Sequence, residues 1–395
     1  MSLIRAAQRM SLLSVLAMGL MTGMSASALA QESTSGGTQS STAVAASASS
    51  AQAAGQDGFL NFFRKTEVAG TVDMYYHYNF NEPSTGSFTP LRNFDSQHNQ
   101  FSFALAELAL IKAPTTDDRV GFRLDLDYGS VATAVNAFEP GDKPTFQNIQ
   151  QGYLSYLAPL GSGLTFDIGK FVTQHGAEVI EAKDNWNYSR SFLFALAIPY
   201  YHMGVRVGYS PNDKLTLGAA LVNGWNNVTD NNSGKTVGLQ AIVKPTASLS
   251  IVQNYMGGPE LTDSNDDWRH LSDTTLTYTV TDQLSVMGNY DYGSEAGLSW
   301  QGVGLYAKAQ LDPVFAIVPR FEYVNNEDDW FATGASQNLK EFTLTAEVKH
   351  SQGLIMRIEY RRDWSDFDFF EKAGRFKNNQ NTFSVGFIYA FSSRQ

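Results

Sequence analysis

Five charged residues crowd one stretch of this chain: Glu178, Glu181, Lys183, Asp184 and Arg190 fall within residues 175–199, beside Trp186, Tyr188, Phe192 and Phe194. Charges of both signs among aromatics suit the sorting of polar solutes better than the making of bonds. Long connections in compact proteins are functional or disordered, and one this aromatic is not built for disorder. Folded into an enclosed space, the stretch would narrow it and set charges where ions and solutes must pass. Packed over a rim, the same charges would merely be solvated. The inward fold is the expectation. A second set is basic: Arg123, Arg206, Arg320, Arg357 and Arg361 lie in alternating segments. Clustered on one wall opposite the acidic stretch, they would impose a transverse field. As wall salt bridges, Arg320 would pair with Glu322 and Arg357 with Glu359. The sequence leaves these two readings open.

Bond-making chemistry finds little footing. His77, His98, His175, His202, His270 and His350 are scattered without metal-ligand spacing, and there is no cysteine. Phosphate-cradling glycine loops and nucleophile elbows are absent from the sequence. A Ser/His pair assembled from different strands remains an alternative, because such pairs are recognised by geometry and not by chain order. The expectation is no catalytic residue, no metal and no cofactor. A net charge of −11 without a basic patch argues against nucleic acid as a partner.

The elements that must carry these side chains are strands. Phe383, Val385, Phe387, Tyr389 and Phe391 alternate with Ser384, Gly386, Ile388 and Ala390. Met356, Ile358 and Tyr360 oppose Arg357, Glu359 and Arg361; Phe342, Leu344, Ala346 and Val348 oppose Glu341, Thr343, Thr345 and Glu347. Phe122, Leu124, Leu126 and Tyr128 oppose Arg123, Asp125 and Asp127, and Val205 and Val207 bracket Arg206. Facing lipid, each such arginine would cost about 2–4 kcal/mol near the midplane. They must face water, and a mean hydropathy of only −0.23 fits strands with one wet face.

From about residue 67 to 391 the chain divides into about 16 such segments. Compact turns near residues 115–118, 159–163, 210–213, 245–247, 281–282, 312–313 and 351–353 alternate with longer connections. The latter fall near 81–97, 129–145, 175–199, 226–234, 257–268, 293–298, 326–337 and 365–379. Short turns at one end and long loops at the other describe an all-β, transmembrane antiparallel barrel with periplasmic turns and extracellular loops. About sixteen strands enclose water, where about eight would hold only side chains. Phase is ambiguous near Phe101–Ile111 and Tyr153–Ala158, where bulges would account for it.

Residues 1–30 read as a signal peptide: Arg5 and Arg9 precede the apolar run Ser11–Met24, and Ala28-Leu29-Ala30 offers a cleavage site. Removing it takes away two arginines and no acid, moving the net charge from −11 to −13. Residues 31–66 form a Ser/Ala/Gln-rich spacer, expected to be disordered, that ends in a short apolar segment. Residues 67–395 make up the barrel.

The stretch Asp184-Asn185-Trp186-Asn187-Tyr188-Ser189-Arg190-Ser191-Phe192-Leu193-Phe194, with Ile198-Pro199 and His202-Met203-Gly204-Val205-Arg206, resembles the OmpL-like β-barrel porin family of bacterial outer membranes. Val222-Asn223-Gly224-Trp225, Asn231-Asn232, Lys235-Thr236, Asp273 and Asn289-Tyr290-Asp291-Tyr292-Gly293 extend the likeness, which covers about Val68 to Phe391. One departure is visible: such barrels usually end on an aromatic residue read by the barrel-insertion machinery, whereas here Ser392-Ser393-Arg394-Gln395 follow Phe391. The resemblance implies an outer-membrane porin without naming a substrate. The expectation is passive diffusion of small hydrophilic solutes and ions through a water-filled barrel, narrowed by the 175–199 loop. A substrate-selective sugar or organic-acid channel and a closed structural or adhesive barrel are the alternatives. Outer-membrane lipid is the expected surroundings, and general porins suggest a homotrimer by analogy.

Overall fold

A computed structural model describes residues 62, 64–83 and 88–394. The expected signal peptide and nearly all of the 31–66 spacer lie outside the described residues. Among the described residues no helix is long and apolar enough to cross a bilayer; the spanning elements are strands. They are β1 (Glu67–Asn79), β2 (Gln100–Lys112), β3 (Val120–Tyr128), β4 (Ile149–Ala158), β5 (Leu164–Val172), β6 (Tyr201–Asn212), β7 (Leu215–Val222) and β8 (Thr236–Thr246). There follow β9 (Leu249–Gly258), β10 (Arg269–Thr281), β11 (Leu284–Glu295), β12 (Leu298–Gln310), β13 (Phe315–Asn326), β14 (Gln337–Lys349) and β15 (Leu354–Ser365). A small hairpin, β16 (Phe370–Lys372) with β17 (Arg375–Lys377), decorates the last long loop before β18 (Asn379–Ser392).

Each barrel strand pairs antiparallel with its neighbours, and β18 pairs with both β15 and β1, so sixteen strands close on themselves. Closure satisfies every edge, as a sheet in lipid requires. The alternation read in the sequence sets the two faces. Phe342, Leu344, Ile358, Tyr360, Phe387 and Tyr389 are exposed on the outside, while Glu341, Thr343, Arg357, Glu359 and Arg361 are buried within. One of the two expected bulges exists, in β2; no shift falls within 153–158. Register slips between β1 and β2 at Asp73/Met74, and between β3 and β4 at Asp125/Leu126. The second lies at the start of β4, ahead of the ambiguous 153–158 stretch.

One expected long loop is a tight turn. Only Ala296 and Gly297, both at positive φ (53° and 80°), join β11 to β12. Strand pairing runs on through Glu295↔Leu298, so the polar residues 293–295 that read as loop belong to the sheet. The second loop carries two short helices, α1 (Ser130–Val135) and α2 (Lys143–Phe146).

The apolar core lies inside the barrel. Phe94, Val131, Val135, Ile180, Tyr188, Phe192, Leu193, Phe194 and Tyr200 pack there with Tyr75 and Leu105 of the wall. Loops supply about half of it, and the third loop contributes more than any other single element.

Candidate functional site: the third loop in the lumen

The connection between β5 and β6 leaves the wall with its ends tied, Thr173 N–H donating to Tyr200 O at 2.9 Å. A backbone that enters the lumen without pairing in the sheet must find other partners for its amides and carbonyls. Near its start, Gly176 N–H donates to Asp273 of β10 (2.9 Å) and Asn254 of β9 donates to Gln174 O (3.0 Å). Gln150 of β4 donates to Glu181 (3.2 Å), and near its end Trp300 of β12 donates to Ala197 O (3.1 Å). The loop thus reaches walls on several sides of the barrel.

Between those points it is held by charge. Glu359 accepts from two successive amides, Tyr188 N–H (2.8 Å) and Ser189 N–H (3.1 Å). Glu322 does the same for Phe192 (2.6 Å) and Leu193 (3.1 Å). The carbonyls go to arginines. Arg320 donates to Ser189 O (2.6 Å), Arg361 to Arg190 O (2.7 Å), and Arg357 to Ala182 O, Asn185 O and Asn187 O. Charge-assisted bonds of this kind are about twice as strong as neutral ones. Each arginine is also neutralised on the wall: Arg320 by Glu341 (2.7 Å), Arg357 by Glu347 (2.7 Å) and Arg361 by Asp363 (2.5 Å).

Side chains complete the dock. Two inward-facing glycines leave room for it: a Cβ on Gly386 would stand 2.3 Å from the Tyr188 ring, and one on Gly302 2.8 Å from Leu193. The Tyr188 hydroxyl donates to Asp73 of β1 at 2.9 Å, and burial holds its phenol protonated well above the ordinary range. From the first loop, Phe94 packs on Phe194 and Tyr200, Arg190 lies 4.8 Å over the Phe94 ring, and Asn93 donates to Ala195 O at 2.7 Å.

The residues singled out in the sequence fall into two groups. Glu178 and Arg190 are buried inside the dock: Glu178 bonds Arg320 (2.7 Å) and Ser191 N–H, and Arg190 donates to the carbonyls of Val179, Ile180 and Tyr188. Arg320, Arg357 and Arg361 are buried with them. They do form salt bridges, but across strands with Glu341 and Glu347, not with Glu322 and Glu359, which serve the loop amides. The second group meets open space. Lys183 and Asp184 pair with each other at the edge of a cavity of about 540 Å³ near the turn end of the barrel, and Arg123 lines the same cavity. Arg123 and Arg206 bond Asp125 (2.8 Å) and Asp167 (2.9 Å), with 32% and 27% of their side chains exposed. Glu181 is half-buried beside Gln150. Sequence reasoning missed Asp73, Gly302, Asn93 and Phe94, and the part that Glu322 and Gly386 play in seating the loop. Alternation puts Glu322 and Gly386 on the inner face, but nothing local says that a loop more than a hundred residues away needs them.

Inward charges spent on gripping a loop inside a polar barrel place this chain, as a class, among the β-barrel porins. The chain belongs to the family described as "Putative beta-barrel porin-2, OmpL-like", whose model matches residues 65–391. Among curated proteins none matches the sequence. Solved structures share the fold at low identity. Pseudomonas putida OprB superposes with a TM-score of 0.58 at 12% identity, covering 84% of this chain and 96% of its own. An anion-selective porin from Comamonas acidovorans gives 0.54 at 12%, covering 82% and 99%. OmpT, an outer-membrane protein of Vibrio cholerae in a trimer form, gives 0.53 at 13%, covering 82% and 99%.

Proposed function

We propose that this protein is an outer-membrane porin through which small hydrophilic solutes and ions diffuse passively, the third loop setting the size limit. The observation that carries the reading is the docked loop, whose backbone wall arginines and glutamates hold within a closed sixteen-stranded barrel. The apolar outer face suits lipid, and the long-loop end would face outward with the tight turns in the periplasm. Glu181, Lys183, Asp184, Arg123 and Arg206 are the charges a passing solute would meet. Glu178, Arg190, Arg320, Arg357 and Arg361 would act at one remove, by fixing the loop. The trimer form of the Vibrio cholerae protein favours a homotrimer here. Nothing in the site favours catalysis over passage.

Proteoliposome swelling tests the reading. Permeation of small sugars that falls away with increasing sugar size supports a size-limited pore. Swelling no faster than that of empty liposomes would contradict it. The closed structural barrel is the second reading, favoured by the near-complete burial of inner residues such as Glu322, Arg357 and Asp363. It predicts no permeation at any size.

A further inference from the structure

Trp300, near the start of β12, is fully buried and touches three loops at once. Its indole N–H donates to Ala197 O, at the close of the third loop (3.1 Å). Its face stacks on Trp330 of the β13–β14 loop, with ring centroids 3.9 Å apart and planes 10° from parallel. Trp225 of the β7–β8 loop meets it edge-on, at 6.2 Å and 75°. Gly293 makes the room, since a Cβ at this position, opposite Trp300 in the β11–β12 register, would stand 2.0 Å from the indole. Arg269, at the head of β10, closes the cluster. Its guanidinium lies 4.8 Å from the Trp225 ring centroid and 4.9 Å from that of Trp330, and it pairs with Glu295 at 2.9 Å.

Two features set this cluster apart from ordinary packing, which leaves few buried polar atoms unpartnered. Arg269 Nε and Glu295 Oε1 are both buried without a hydrogen-bond partner. Trp330 is presented by a turn in which Asp329 and Ala332 both adopt the left-handed region, each at φ 51°. Ala332 has no polar side chain to ease that conformation. Ring stacking and the two cation–π contacts hold the loop down. Backbone strain and the missing hydrogen bonds oppose them, and both are relieved when the loop lifts and water enters. The closed arrangement is therefore poised to open. Leu196, next to Ala197, and Phe331, next to Trp330, pack against the same core. Whatever unseats Trp330 thus removes support from the end of the third loop, and the reverse holds as well.

We propose that Trp300 is the pivot of a clasp that couples the β13–β14 loop to the third loop in the lumen, so that releasing one releases the other. The clasp rests on the porin reading only for its effect on passage, which is to widen the pore when it opens.

Coupling between two sites is reciprocal, so it is tested from both ends. Two stacked indoles give an exciton couplet in far-ultraviolet circular dichroism, and its loss in Trp330→Leu assigns it to this pair. A variant lacking residues 178–191 keeps Trp225, Trp300 and Trp330, yet should lose the couplet; Trp186→Phe controls for the one tryptophan the deletion removes. In the other direction, trypsin should cut Trp330→Leu at Lys183 or Arg190 about fivefold faster or more than the unaltered protein, the lower end of ordinary coupling. No couplet in the unaltered protein, a couplet that survives the deletion, or an unchanged rate of cleavage overturns the clasp. Trp330→Phe assigns the couplet if Trp330→Leu does not fold, and the deletion then decides alone. Single-channel currents in potassium chloride should show larger steps for Trp330→Leu, and equal steps would also overturn the proposal. Current steps with neither structural sign sink the clasp and spare the pore; both signs in a silent barrel do the reverse.

Discussion

The ring of Tyr188 occupies the space left by Gly386, close enough that a Cβ at Gly386 would lie 2.3 Å from it. A residue of β18 thereby sets how far the third loop sinks into the lumen. The Gly386→Val barrel should still form, since the outward face of β18 is untouched. Overpacking of this kind costs about 1–3 kcal/mol, and here the loop can yield by lifting out. The expected outcome is a larger single-channel conductance together with faster proteolysis within residues 178–191. Unaltered conductance and proteolysis would mean that Tyr188 does not set the loop's depth.

Arg320 and Glu178 form a buried pair at 2.7 Å, and Arg320 also bonds Glu341 and two atoms of Ser189. Removing one member of a buried pair costs about 3–5 kcal/mol, because the other charge is left uncompensated. Arg320→Met should therefore lower the urea midpoint of the folded barrel more than Glu178→Gln, since it strands Glu178 and leaves Glu341 with Arg361 alone, where the latter strands no carboxylate. Combining Arg320→Met with Glu178→Gln should restore part of the loss. Strictly additive effects in the double variant would refute the coupling.

Near the root of the loop, burial lowers the His175 imidazole from 6.5 to about 4, against the opposing pull of Asp273. The freed loop takes up a proton below pH 6.5, whereas the docked loop resists until about pH 4. Docking is therefore strongest above pH 6.5 and weakens on acidification, by about 1.4 kcal/mol for each pH unit between the two values. Proteolysis of the loop should accelerate between pH 7 and pH 5, and His175→Asn should flatten that response. A rate that does not depend on pH in the unaltered protein would rule the mechanism out.

Of the five arginines read as inward-facing, Arg123 and Arg206 are the ones with substantial exposure, at 32% and 27% of their side chains. Replacing both by glutamine should shift the reversal potential in a salt gradient towards cation selectivity. The same exchange at Arg357 should alter loop docking instead, and with it conductance more than selectivity. Identical shifts from both exchanges would deny the division between lumen-facing and anchoring arginines.

The sequence made the walls legible and the dock only in outline. Alternation in β3, β14, β15 and β18 correctly told inner from outer face, because period two is a local property of the strand. The turn at Ala296-Gly297 was obscured because Gly293, Ser294 and Glu295 look like loop residues, although they pair as strand. The partners of Arg320 and Arg357 were misassigned because alternation fixes a face but not which neighbour's carboxylate stands alongside; that depends on the register of β13, β14 and β15. The third loop's inward path was expected from its aromatic content and length. Its seat on Gly386, Glu359 and Glu322 depends on contacts between distant parts of the chain, which carry no local signal.

The account stands or falls on whether the barrel with its loop docked still passes ions. Single-channel currents across a planar bilayer, for the unaltered protein and for a variant lacking residues 178–191, test this directly. Discrete steady steps in the first and larger ones in the second are the predicted result. A silent unaltered barrel, or equal steps from both proteins, would contradict it.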